Sequence, residues 1–104
     1  MNKRQRKVCE KLGWKVTDCG NEIELETFSP AGENFLFYAQ RNNFAESIAD
    51  YADNFDSDEH AEFWVEFRGK RGVPHTIREL IDDADAIKQM LTDLSEQINK
   101  LKRR

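Results

Sequence analysis

The sequence lacks any long apolar run and contains only two cysteines. No stretch approaches the roughly 20 apolar residues needed to cross a bilayer. The basic N-terminus is not followed by the apolar segment of a signal peptide. Cys9 and Cys19 form no CxxC pair, so we expect free thiols rather than a disulfide framework. These absences predict a cytoplasmic protein without a membrane segment.

Enzyme signatures are missing as well. The five glycines form no phosphate-binding loop, and no G-x-S-x-G turn is present. Cys9 falls on an apolar helical face, where a thiol usually packs as a small hydrophobe, and Cys19 has no histidine near it in sequence. We therefore expect neither catalysis nor a cofactor.

What the chain does contain is enough apolar material for one core. Its 104 residues are 38% hydrophobic, with eleven aromatic side chains, and 35% charged. This composition is too apolar for a disordered chain and too polar for a membrane protein. The length fits one domain over residues 1–104.

The net charge of −4 conceals an uneven distribution along the chain. Residues 1–15 carry six Lys or Arg and one Glu, whereas residues 16–39 carry five acids and no base. Residues 40–67 carry eight acids against Arg41 alone, and the chain closes on the basic "KLKRR". An acidic middle is thus flanked by basic ends.

Hydrophobic periodicity predicts an α+β fold. Residues 3–12 have the spacing of a short amphipathic helix, and alternation predicts three strands, at "WKVTDC", "EIELETF" and "FLFYAQ". The strands should form an antiparallel meander, and we expect the unbroken apolar third strand to be buried on both faces. Two short helices follow, the second capped by Asp56, and then a long C-terminal helix.

The last helix has the clearest local signal. Thr76 and Glu79 have the T-x-x-E spacing of a capping box, and a heptad seam continues over 77–102. At 1.5 Å per residue the helix would be roughly 39 Å long, so we expect its C-terminal part to project. The seam has two interpretations: it packs along the chain's own helices, or it pairs with a second copy as a coiled coil. The residues of such an oligomer seam would be Leu91, Leu94, Ile98 and Leu101.

The stretch "FDSDEHAEFWVEF" concentrates carboxylates around one of only two histidines. Acidic residues are expected in the first turn of a helix, since they complement its free amides and dipole. Asp56 and His60 have the i, i+4 spacing of zinc ligands, but the other histidine, His75, falls in a loop. We favour a capped helix and expect no metal site. A metal-dependent enzyme built on Asp56 and His60 is the third functional interpretation.

The acidic surface supports the leading interpretation. If the solvent face of the second strand adjoins the outer faces of the helices, the protein presents a dense field of carboxylates that would attract a positively charged cleft. The prediction is a non-catalytic protein that binds and blocks a basic, nucleic-acid-binding protein. The predicted binding residues are Glu22, Glu24, Glu26, Asp50, Asp58, Glu62 and Glu66.

The basic clusters support the alternative, a small dimeric nucleic-acid-binding or regulatory protein. Clustered Lys and Arg contact phosphates in a salt-dependent way. A pI of about 5.2 and the lack of a recognised DNA-binding motif make direct nucleic-acid binding the weaker interpretation. The residues it would use are Lys3, Arg4, Arg6, Lys7, Lys70 and Arg71.

"FDSDEHAEFWVEF" followed by "GVPHTIRELIDDADAI" resembles a pattern found in small proteins of bacteria, phages and mobile elements. The resemblance also includes "SPAGENFLF" and covers residues 20–100. It implies a mobile-element setting, and it carries over no catalytic residue. Small acidic proteins of that setting are often inhibitors of host defence nucleases, of the anti-CRISPR and anti-restriction types, an analogy of size and charge.

Overall fold

The protein is described here by a computed structural model, which covers residues 1–65 and 76–101. The predicted α+β fold is confirmed: a short helix, a three-stranded antiparallel sheet, two short helices and a long helix follow one another. Their bounds are α1 Lys3–Lys11, β1 Lys15–Cys19, β2 Glu22–Phe28, β3 Asn34–Gln40, α2 Phe44–Asn54, α3 Ser57–Trp64 and α4 Ile77–Lys100.

The sheet has the order β1-β2-β3, so β2 is paired on both sides. Val16 lies opposite Leu25, and Leu25 lies opposite Phe37. These inward side chains belong to one buried cluster that also includes residues of α1, α2 and α4. Because α1 contacts β1 and α2 contacts β3 while α4 contacts both helices, the three helices form one layer over the inner face of the sheet.

The third strand differs from the sequence-based expectation. Its burial alternates instead of covering both faces: Phe35, Phe37 and Ala39 are buried, but Leu36 and Tyr38 are 41% and 48% exposed. The reason is architectural. A sheet covered by helices on one side buries one face only, whatever the hydrophobicity of the other. The apolar character of β3 therefore reaches the solvent.

Two predicted helix starts are formed by the expected side chains. Asp56 Oδ1 accepts hydrogen bonds from the amides of Asp58 and Glu59, at 3.0 and 3.2 Å. Thr76 Oγ1 accepts one from the amide of Glu79 at 3.1 Å. Each bond satisfies an amide that has no partner inside the helix.

The seam of α4 packs within its own chain. Leu91, Leu94 and Ile98 are 0% exposed and belong to the main core, together with residues of the sheet. This corresponds to the first of the two interpretations of the seam. The three side chains are therefore not available to a second copy, and the predicted oligomer seam is corrected on this point. Leu101 is half-buried at the C-cap.

The first half of α4 packs on α3. Leu80 and Ala84 form a second buried cluster with Ala61, and Trp64 packs against it. The C-terminal part of the helix is therefore covered as far as Ile98 rather than projecting as expected, although Ile77 at its start is 48% exposed. The longest dimension of the fold is 43 Å. Across the described ranges, no helix is both long and apolar enough to span a membrane.

Candidate functional site

The outer face of the sheet presents an ordered array of side chains to the solvent. Glu22, Glu24 and Glu26 project from β2 on this face and form what we call the acidic row. Alternate residues of a strand are separated by roughly 6.7 Å, so the row extends over about 13 Å. Tyr38 lies opposite Glu24 and Leu36 opposite Glu26, and these two form the apolar row. Acidic and apolar rows thus run side by side.

The acidic row affects the pKa of Tyr38, which lies opposite Glu24. The carboxylate of Glu24 raises the pKa of this phenol, with smaller contributions from burial, Cys19 and Glu22. A nearby negative charge disfavours the phenolate, which is why the shift is upward. The ring of Tyr38 is therefore bordered by negative charge while half of its surface remains open.

The acidic row is only partly neutralised by its neighbours. Lys15 lies opposite Glu26 and is the only Lys or Arg among the outward residues of the three described strands. Asn34 Nδ2 also donates to Glu26 Oε2 at 3.0 Å. The cross-strand neighbours of Glu22 and Glu24 are uncharged. The uncompensated charge of the face is thus at Glu22 and Glu24.

The other predicted acidic residues lie elsewhere in the fold. Asp50 is exposed on α2, and Asp58 and Glu62 are exposed on α3. α2 covers the inner face of the sheet, and α3 packs on α4, so these carboxylates lie on the helical side. Glu66 lies outside the described residues. The structure therefore brings together the three strand glutamates and separates them from the helix acids.

The predicted nucleic-acid-binding residues that fall on α1 are all exposed. Arg6 Nε lies 3.6 Å from a carboxylate oxygen of Glu10 on the same helix. α1 borders β1, at the opposite edge of the sheet from the apolar row. The four residues are Lys3, Arg4, Arg6 and Lys7; Lys70 and Arg71 lie outside the described residues.

Asp56 and His60 have separate partners. Asp56 caps α3, whereas His60 Nε2 lies 3.0 and 3.1 Å from the two carboxylate oxygens of Glu33. His75 lies outside the described residues. Within the described ranges, no group of three or more His, Cys, Asp or Glu side chains is placed to hold a metal ion. The geometry gives both residues a structural role.

A buried polar network adjoins the pair of His60 and Glu33, and the sequence did not predict it. Ser29, Glu33 and Asp83 are each 5% exposed. Ser29 Oγ donates to Asp83 Oδ2 at 2.6 Å, and the amide of Ala31 donates to Asp83 Oδ1 at 2.9 Å. Ser29 Oγ in turn accepts from the amide of Glu33 at 3.0 Å. The turn between β2 and β3 is thereby fastened to α4, and through His60 to α3.

Among the described residues, the network does not have the arrangement of a nucleophilic triad. Activation of a serine requires a histidine in hydrogen-bond contact with its hydroxyl. Here the hydroxyl of Ser29 donates to Asp83, and His60 contacts Glu33 instead. Each buried carboxylate accepts hydrogen bonds, as burial of a charge requires. The contacts join the turn between β2 and β3 to α3 and α4.

An open cavity of about 340 Å³ adjoins His60 at the junction of α2 and α3. Its other described lining residues are aromatic, acidic or amide. Those residues are Tyr51, Asn54, Phe55, Asp56, Glu59 and Phe63.

Comparisons with known proteins give no relative: no family model matches the chain, and neither a curated protein nor a solved structure is significantly similar to it. A functional interpretation therefore rests on the geometry and charge of the described residues.

Proposed function

We propose that this protein is a non-catalytic binding protein whose acidic row engages a basic protein partner, one that itself binds nucleic acid. The observation that carries the proposal is the set of three glutamates on one open sheet face, with a single basic residue, Lys15, opposite them. A cleft that binds phosphates would be attracted to such a row of carboxylates. We place this interaction in the cytoplasm.

The position of the row favours binding. β2 pairs on both sides, so its backbone is held by two ladders and the three carboxylates project from a rigid element. Charges fixed in position lose less conformational freedom on binding than charges on a loop. The proposed activity is blockade: the partner cannot hold this face and a nucleic acid at the same positive surface. An inhibitor of a host defence nuclease, of anti-CRISPR or anti-restriction type, fits this description.

The test is affinity capture from a native bacterial lysate after nuclease treatment, followed by elution with duplex DNA. The proposal expects a basic protein that is retained without nucleic acid and is displaced by DNA. The variant Glu22→Gln/Glu24→Gln/Glu26→Gln should lose it. A control with the same loss of charge on α4, Asp85→Asn/Asp93→Asn/Glu96→Gln, should retain it. Equal retention by both triple variants would rule out the acidic row.

A second candidate function rests on α1. Five Lys or Arg side chains of this nine-residue helix are exposed, and clustered cations bind phosphates. The proposal is a nucleic-acid-binding or regulatory role through this helix. Binding of labelled duplex DNA, followed by fluorescence anisotropy, should fall steeply with salt and weaken in Arg4→Gln/Lys7→Gln. Absence of binding at low salt would remove this candidate.

A further inference from the structure

The outer face of the sheet carries exposed apolar side chains, which electrostatic attraction of a basic partner does not require. Beside the acidic row lie exposed apolar side chains: Tyr38 is 48% exposed, Leu36 41% and Phe28 65%. A face that served only to repel or to stay hydrated would carry polar residues at these positions. Apolar contact with a partner is a sufficient reason for them.

The cross-strand register sets the geometry of the contact. Tyr38 and Glu24 are directly opposite each other, and the Cβ atoms of such pairs are roughly 5 Å apart. The π-face of an exposed tyrosine attracts a cation, and a carboxylate beside it adds an ion pair. A side chain of the partner that bound the ring of Tyr38 and the carboxylate of Glu24 at once would need a planar cationic group.

Arginine meets this requirement better than lysine does. Its guanidinium is planar, stacks on aromatic rings and donates two parallel hydrogen bonds to a carboxylate, whereas the ammonium of lysine is a compact, strongly hydrated charge. The methylene stem of arginine can also cover an apolar neighbour such as Leu36.

We infer that the partner presents an arginine to this face, with its guanidinium against the ring of Tyr38 and paired with the carboxylate of Glu24. This inference rests on the proposed function and specifies the partner's chemistry at the same face. The occupant is a protein segment that carries arginine. Glu22, the next carboxylate along the row, is placed for a second cation of that segment.

The experiment compares two labelled peptides of equal length and charge, in which three arginines or three lysines alternate with serine. Fluorescence anisotropy titrations with the full chain should show tighter binding of the arginine peptide, by roughly two- to five-fold, the size of an exposed cation–π contact. Tyr38→Leu should remove this preference, and Tyr38→Phe should keep it. Far-UV circular dichroism establishes that each variant is folded.

The outcomes separate the inference from the proposed function. If both peptides bind equally and both are lost in Glu22→Gln/Glu24→Gln/Glu26→Gln, the arginine inference is overturned while the acidic row stands. An arginine preference that survives in Tyr38→Leu also overturns it. If neither peptide binds, or if the triple glutamine variant binds both as well as the unmodified protein does, the inference and the role of the acidic row both fail.

Discussion

Ser29 Oγ donates a hydrogen bond of 2.6 Å to Asp83 Oδ2, joining the turn after β2 to α4 across 54 positions of sequence. The same carboxylate accepts from the amide of Ala31. Both Ser29 and Asp83 are buried, so water cannot readily replace the bond between their side chains. This contact positions β3, and therefore the apolar row, relative to the helical layer.

The first prediction concerns Asp83. Asp83→Ala should lower the free energy of unfolding by about 2–4 kcal/mol, because it leaves the Ser29 hydroxyl and the Ala31 amide without their acceptor. Urea denaturation followed by circular dichroism measures the loss. The matched control is Asp82→Ala, whose carboxylate is exposed beside Arg78; exposed pairs contribute little, so its midpoint should barely move. Equal effects at the two positions would contradict the network.

The pair of Glu33 and His60 gives a second prediction. His60→Ala should destabilise the fold by about 3 kcal/mol, because it leaves the buried carboxylate of Glu33 without its partner. Part of the loss comes from ring packing, since His60 lies 5.2 Å from Phe55 and 5.9 Å from Phe35, between ring centroids.

A double-mutant cycle separates the two contributions. Glu33→Ala, His60→Ala and the double variant should show a coupling energy of about 1–3 kcal/mol in urea denaturation. If the losses in unfolding free energy of the two single variants add up to that of the double variant, the contact between Glu33 and His60 contributes no stability. The effect of His60→Ala would then come from ring packing.

These polar contacts mark the limit of what the sequence predicts. The elements follow from local rules: alternation predicts the strands, and Asp56 and Thr76 mark two helix starts. The partners of Ser29 and Glu33 come from distant parts of the chain, and no periodicity encodes them. One feature of the sequence does indicate that Asp83 is buried. It lies three residues after Leu80 and four before Ile87, on the apolar face of α4. A carboxylate on that face requires buried donors.

The exposure of β3 could not be predicted for a different reason. "FLFYAQ" is apolar on both of its faces, and a local pattern does not show whether a second layer covers the sheet. The number of layers depends on how the helices are placed. In the described ranges, the helices that contact the sheet cover its inner face, and Leu36 and Tyr38 on the outer face remain exposed.

Cys9 should make the fold sensitive to alkali. Burial raises the pKa of this thiol from 9.0 to about 12, so above pH 9 the unfolded chain releases the proton more readily than the folded one. The stability that it contributes is complete below pH 9 and is lost as pH rises towards 12. Urea denaturation across this range should show a shallower fall in Cys9→Ala, by up to about 1.4 kcal/mol per pH unit. If the free energy of unfolding falls with pH at the same rate in the unmodified protein and in Cys9→Ala, the prediction is wrong.

The two thiols should also react differently. Cys19 is exposed and Cys9 is buried. A thiol reagent at mildly alkaline pH should modify one cysteine quickly in the folded protein and the second only on unfolding, since the thiolate is the reactive form. Mass spectrometry identifies the modified peptide. Rapid labelling of Cys9 under native conditions would show that this part of the core opens.

The cross-strand pairing of Tyr38 and Glu24 underlies the inferred arginine site and can be tested without a partner. Because the carboxylate of Glu24 is the largest cause of the raised pKa of Tyr38, Glu24→Gln should lower that pKa. An ultraviolet titration of tyrosinate absorbance measures it, in a Tyr51→Phe background that leaves one tyrosine. The control Glu62→Gln removes a charge on α3 and should leave the pKa unchanged. The shift should shrink in high salt, since exposed charges are screened. If Glu24→Gln leaves the pKa in place, the ring and the carboxylate are too far apart to hold one guanidinium between them.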